Sequence, residues 1–209
     1  MESSTMTGDG AQGPAANRKQ LILVLVVFLG PVLAAVGLYA TAGYWMAQGP
    51  TGQHGHLYQP AKPLETLHLT GLNGETWSVA DLRGKWSLLV LGSGDCGNDC
   101  RDALYKVRQA HKAQGKNIGR VQRLFVALGG KPGSGTRAFL GTEHPHLKVA
   151  TPAAGRAELT PFRGPADRGL RGIYLLDPYA NLVMRYDFAD GAEGILEDLK
   201  HLLKHSTIG

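Results

Sequence analysis

The sequence predicts an α/β fold, a mixed sheet flanked by helices, preceded by one N-terminal transmembrane helix. Three observations carry this. Gln20 to Gln53 contains no charged residue and no histidine. Two continuous apolar runs, Trp86 to Leu91 and Val121 to Leu128, bracket a segment with helical spacing, the order of a strand, a helix and a second buried strand. Two further short apolar runs then flank a turn and lead into leucines at helical spacing. Composition agrees. Of 209 residues, 19% are charged, below the roughly 25% of soluble domains, so part of the chain belongs outside water. The length leaves room for one domain beside the membrane segment.

At about 1.5 Å of rise per residue, a helix from Leu21 to Met46 exceeds a hydrocarbon core of roughly 30 Å. The predicted boundaries are a disordered cytoplasmic tail over 1–19, Gly-, Ser- and Ala-rich up to residue 17, and a transmembrane helix over 20–47. Pro31 is placed to kink that helix, and Tyr39, Tyr44 and Trp45 fall near its far end, where amphipathic rings favour the headgroup boundary. Arg18 and Lys19 flank the near end, and the next basic side chain beyond it is Lys62. By the positive-inside rule the tail stays in the cytoplasm and the rest is exported. A cleaved signal peptide would use Ala40-Thr41-Ala42, but the apolar run before that point is longer than a signal core of about 7 to 15 residues. A stalk is expected over 48–63 and the folded domain over 64–209.

Inside the domain, Leu67 to Thr70 and Thr76 to Val79 read as a hairpin around Asn73-Gly74. Cys96 to Gln114 carries Leu104, Val107 and Ala110 on one helical face and stops at Gly115. Ile173 to Asp177 and Leu182 to Tyr186 form a second hairpin, and Ile195 to Leu203 a final helix. Residues 129–172, dense in Gly and Pro, give no periodicity from which to place elements.

The formal net charge of +5 lies entirely beyond residue 50, because Arg18 and Lys19 balance Glu2 and Asp9 before it. It forms no block of like charges and reads as a solvated surface. No basic helix or aromatic stripe points to nucleic acid. Gly130 to Gly135 imitates a phosphate loop, but Thr136 and Arg137 stand where Lys and Ser or Thr are required, so no nucleotide site is expected. Asp177 begins a turn at Pro178 and makes no catalytic pair with Asp187.

The chemistry lies in Asp95-Cys96-Gly97-Asn98-Asp99-Cys100, which holds both cysteines of the chain. Placed after a buried strand at the start of a helix, residues i and i+4 have Cα atoms roughly 6 Å apart, within disulfide reach. The pair is able to oxidise reversibly or to offer two thiolates to a soft ion such as Cu(I). Unpaired N–H groups at the helix start favour a thiolate, whereas Asp95 and Asp99 oppose one. A purely structural disulfide is the bland alternative, but so small a ring stabilises by only about 2 kcal/mol.

Asp81-Leu82-Arg83-Gly84-Lys85, the Trp86 to Leu91 run, the Cys-x-x-x-Cys and Ile173-Tyr174-Leu175-Leu176-Asp177-Pro178 resemble the Sco/SenC family in order and spacing. The resemblance covers about Leu64 to His205, and the ending through Ile208-Gly209 looks like shorter relatives associated with oxidase assembly. It implies a thioredoxin-like fold, a bacterial inner-membrane anchor, a periplasmic domain, and cytochrome c oxidase subunits or assembly factors as partners. The implied role is to deliver Cu(I) or to keep copper-site thiols reduced, with Cys96 and Cys100 as both the catalytic pair and the metal ligands. In the redox mode Cys96, the more exposed by position, attacks and Cys100 resolves. This chain departs from the family where a ligand histidine precedes the strand matching Ile173 to Leu176. Gly169 stands there, and Gly169-Leu170-Arg171-Gly172 also lacks the proline of thioredoxins.

His54 with His56, or His144 with His146, are substitute ligand pairs only if their loops fold toward the sulfurs. His111 is about four turns along the helix from Cys96, and His201 with His205 read as a polar face. Two other functions stay open: a general thiol-disulfide oxidoreductase or peroxide-reactive enzyme, and a non-catalytic assembly scaffold.

Overall fold

The computed structural model describes residues 18–48, 54–163 and 169–208. The expected tail over 1–17 and the 49–53 part of the stalk lie outside the described residues, as do the side chains of Tyr39, Tyr44 and Trp45. The chain divides into two compact units, Met1–Thr51 and Gly52–Gly209.

The first unit is the helix α1 (Arg18–Gln48), which continues through Pro31. Its Leu21–Leu38 window has a mean hydropathy of 2.9 and no buried residue. A soluble helix hides one stripe, whereas this one is apolar all round, the pattern suited to lipid as solvent. It is long and apolar enough to cross a membrane, as an anchor or as a signal sequence.

The second unit contains β1 (His56–Pro63), β2 (Leu69–Gly71), β3 (Thr76–Trp77), β4 (Trp86–Ser93), α2 (Asn98–Lys112), β5 (Val121–Leu128), α3 (Ser134–Glu143), β6 (Lys148–Pro152), β7 (Gly172–Leu176), β8 (Asn181–Tyr186) and α4 (Ala192–His205). They build one mixed sheet in the order β1-β8-β7-β4-β5-β6-β2-β3. β4, β5 and β6 run parallel, and β7 lies antiparallel to β4.

The apolar runs are continuous because the central strands are covered on both faces. Leu88 and Val90 of β4, Phe125 and Ala127 of β5, and Ile173 and Leu175 of β7 face one core, built with Leu104 and Val107 of α2 and Ile195, Leu199 and Leu203 of α4. The alternate residues Leu89, Leu91, Leu124, Val126, Tyr174 and Leu176 face the other, closed by Leu64 to Leu82 and by Leu159 and Phe162. Each fully buried leucine contributes about 1.5–3 kcal/mol.

Three expectations change. Residues 56–63, placed in the stalk, form the edge strand β1 on β8. Tyr58 is buried and Leu57 packs on the core, while the rest of the strand faces out and reads as polar linker. Pro60 and Pro63 are tolerated because an edge strand leaves one row of N–H positions unpaired. The unassigned stretch 129–172 holds α3, β6 and a 3-10 turn over Gly155–Phe162. The cysteine helix begins at Asn98, not Cys96, and ends at Lys112, not Gln114.

Asp198 of α4, buried at its inner face, accepts hydrogen bonds from the backbone N–H of His54 (3.0 Å) and Gly55 (2.9 Å) and from the Tyr186 hydroxyl (2.9 Å). The start of the unit is thereby clasped to its last helix. Burial foremost, and then the Asp198 charge, hold the Tyr186 hydroxyl protonated well above its ordinary range. Asp198→Asn, which replaces one acceptor with a donor, is expected to cost about 1–3 kcal/mol in urea denaturation and to speed proteolysis near Gly55.

Candidate functional site

β4 ends at the carboxyl edge of the sheet, where the chain must reverse to lay α2 over it. Gly94 donates its N–H to the Leu128 carbonyl (3.0 Å), and Cys96 donates to the Ser93 carbonyl (2.9 Å). A Cβ at Gly94 would fall 2.9 Å from the Gly130 carbonyl oxygen, so only glycine fits this crossing. Thr136 Oγ1, in the first turn of α3, donates to the Asp95 carbonyl at 3.0 Å. Cys96 has a φ of +40° and therefore stands outside the helix. An L-residue in this left-handed region costs about 1–2 kcal/mol, sustained by the contacts on both sides of the turn.

Cys100 lies in the first turn of α2, its Cα 5.1 Å from that of Cys96, and the two form a disulfide. The pairing that the spacing allowed is made. The expected exposure of Cys96 is not: Cys96 is 0% exposed and Cys100 2%. The reason is the turn, which folds Cys96 back into the core shared by β4, α2 and α4. Gly92 on β4 makes room, since a Cβ there would lie 3.0 Å from Cys100 Sγ and 3.7 Å from Phe188 Cζ.

Two arginine–phenylalanine stacks lie against the core that contains the sulfurs. Phe139 and Phe188 pack on the cluster that contains both cysteines. The Arg101 guanidinium sits 4.6 Å from the Phe139 centroid, and that of Arg171 5.2 Å from the Phe188 centroid. Arg101 Nε also donates to the Cys96 carbonyl (3.2 Å), and Arg171 lies 3.8 Å from the Asp99 carboxylate. Lys106 Nζ holds the Phe188 carbonyl at 2.8 Å. The two aspartates expected to oppose a thiolate therefore share the site with two cations. Arg171 and Phe188 flank β7 and β8, far from the cysteines in sequence, and no local pattern marks them. Gly169 is exposed with a φ of +66°.

The histidines go elsewhere. His54 pairs with Glu197 at 2.8 Å, and His56 packs edge-on against Tyr58. His111 Nε2 donates to the Val121 carbonyl (3.0 Å), and the His201 and His205 rings lie 4.7 Å apart on α4. His144 is 3% exposed and set edge-on to Phe139. Among the described residues, no group of three or more His, Cys, Asp or Glu is able to hold a metal ion. Asp177 accepts from the Tyr179 and Asn181 N–H groups within its turn, and Asp187 pairs with Arg185.

Residues 86–206 match the family described as transmembrane-like, thioredoxin-like, C-terminal domain. The chain belongs to this family. No curated protein matches it in sequence. The thioredoxin-like domain is similar to copper-bound ScoI of Bradyrhizobium japonicum, with a TM-score of 0.52 and 23% identity over 66% of this chain and 98% of that one. Copper-bound yeast Sco1 gives a TM-score of 0.57 and 18% identity over 70% and 95% of the two chains. BsSco, described as a member of the Sco family of cytochrome c oxidase assembly proteins with a disulfide switch, gives 0.54 and 16% over 72% and 99%. At these identities the likeness establishes the fold.

Burial first, then the nearby Arg123 and Arg108 charges, hold His144 down at about 4. Its folded pKa lies below the ordinary 6.5, so the stability it contributes is complete above pH 6.5 and is lost as pH falls toward 4. Urea denaturation is expected to show a loss of roughly 2 kcal/mol between pH 7 and 5 that His144→Gln removes.

Proposed function

We propose that this protein is a membrane-anchored thiol-disulfide protein assisting cytochrome c oxidase assembly, with Cys96 and Cys100 as the working pair. The observation that carries the reading is the disulfide seated where the central strand meets the N-terminus of α2. As a reductant, the dithiol form sends one thiolate onto a partner disulfide, forming a mixed disulfide and releasing one partner thiolate. The second cysteine attacks that bond and releases the other partner thiolate. Two electrons pass to the partner, and the Cys96–Cys100 bond remains here. The fold shared with BsSco and the helix α1 support this role and a periplasmic domain held on the bacterial inner membrane, with the N-terminus cytoplasmic.

Cu(I) as cargo is the second reading, favoured by the copper in two proteins of the same fold. Its donors here would be the two thiolates released by reduction, soft ligands suited to Cu(I), with further donors supplied by the receiving protein. Both readings require the buried sulfurs to become accessible.

Three measurements decide. Phe188→Ala should speed reduction of the disulfide by dithiothreitol several-fold without changing the fold seen by circular dichroism. The Cys96→Ser, Cys100→Ser variant should lower oxidase activity in its host membrane, and full activity in that variant would leave only a scaffold. In a Cu(I) competition assay on the reduced full chain in detergent, one-to-one uptake lost in the double variant selects copper handling. Failure to compete with a weak chelator removes it and leaves thiol exchange.

A further inference from the structure

The opposite end of the sheet carries a basic cleft. Where β4 and β5 begin and α2 ends, a cleft of about 410 Å³ is lined by Lys85, Arg108, Lys112, Arg123 and Lys148, with His146 at its side. No carboxylate lines it. Of the lining cations, Arg108 lies 3.7 Å from the Glu143 carboxylate. Among the described residues, no ion pair is made by Lys85, Lys112, Arg123 or Lys148.

Arg123 shows that this is more than a basic surface. It is 7% exposed, its Nη2 donates to the Pro145 carbonyl at 3.0 Å, and its Nη1 is buried with no partner. Covering a guanidinium without a counter-charge is costly unless a charge arrives from outside. Burial and the Arg108 charge both push the Arg123 pKa down. His111 is held down in turn, by burial first and then by Arg123.

The Lys148 ammonium is turned to the other face of the sheet, 2.9 Å from Gln122 Oε1 and 5.7 Å from the Trp77 ring centroid, so the contact groups of the cleft are those on the α2 side. Lys85 and Lys112 are exposed at the rim. Buried Arg123 acts through its field, and Lys85 and Lys112 supply hydrogen-bond donors. A single carboxylate would leave most of this charge uncompensated, whereas a phosphate carries more charge and oxygens in several directions. The volume exceeds that of a bare phosphate and admits part of the molecule attached to it.

We propose that this cleft binds a phosphate ester, carried either by a small soluble molecule or by the headgroup of an anionic phospholipid. Eight-residue β4 separates it from the cysteines by roughly 25 Å, so the site stands independently of the sulfur chemistry.

The test uses the full chain in phosphatidylcholine nanodiscs. Calorimetric titration with glycerol 3-phosphate is expected to show saturable binding that weakens about tenfold or more in Lys85→Gln, Lys112→Gln, both surface positions whose loss leaves the core intact. In parallel, discs containing phosphatidylglycerol are compared with discs lacking it by lysine acylation and mass spectrometry. Protection of Lys85 and Lys112 but not of exposed Lys200 identifies the lipid headgroup, and calorimetric binding identifies the soluble ester. Absence of both, heats unchanged in the double variant, or equal protection at Lys200 would overturn the site.

Discussion

Burial of β4 on both faces is the constraint from which the rest of the domain follows. A strand hydrogen-bonded to neighbours on each side and covered above and below has no free surface on which to adjust. Leu88 and Val90 are committed to one core and Leu89 and Leu91 to the other. A shift of one residue would exchange the two sets, so the register with β5 and β7 is fixed. The chain must then leave the sheet at Ser93 and reverse within a few residues to lay the apolar face of α2 on the first core. That reversal places Cys96 and Cys100 at the carboxyl edge, the end of an α/β sheet where loops and helix starts converge into functional sites.

The same constraint explains the sulfurs' burial. Since Cys96 turns inward with a left-handed backbone, the disulfide belongs to the hydrophobic core. Phe188 and Phe139 pack against that core, while Arg101 and Arg171 stack on those rings and bring positive charge to a motif that carries two aspartates.

The central strands, the last hairpin and α4 were legible because two-sided or one-sided burial writes a period directly into the residues. β5 runs from Val121 to Leu128 as read, and the disulfide joins the two cysteines whose spacing allowed one. β1 was not legible, because an edge strand with two prolines and few buried side chains has the composition of a linker. Neither were α3 and β6, short elements between glycines whose stability comes from long-range contacts such as Thr136 to Asp95 and the pairing of β6 with β5. The start of α2 was misplaced by two residues because no pattern marks Cys96 as left-handed. The aromatic cover and the basic cleft are assembled from segments far apart in sequence, so neither has a local signature.

β1 also has a consequence for the molecule's dealings with its own kind. A sheet of eight strands has two rims, and each is an invitation to an extended segment from another copy. At one rim the chain stops at the two-residue β3, too short to template a ladder. At the other, Pro60 and Pro63 strip amide donors from the outermost strand, and its register against β8 is already irregular. This domain therefore offers neither border as a seam along which the sheets of two copies could fuse.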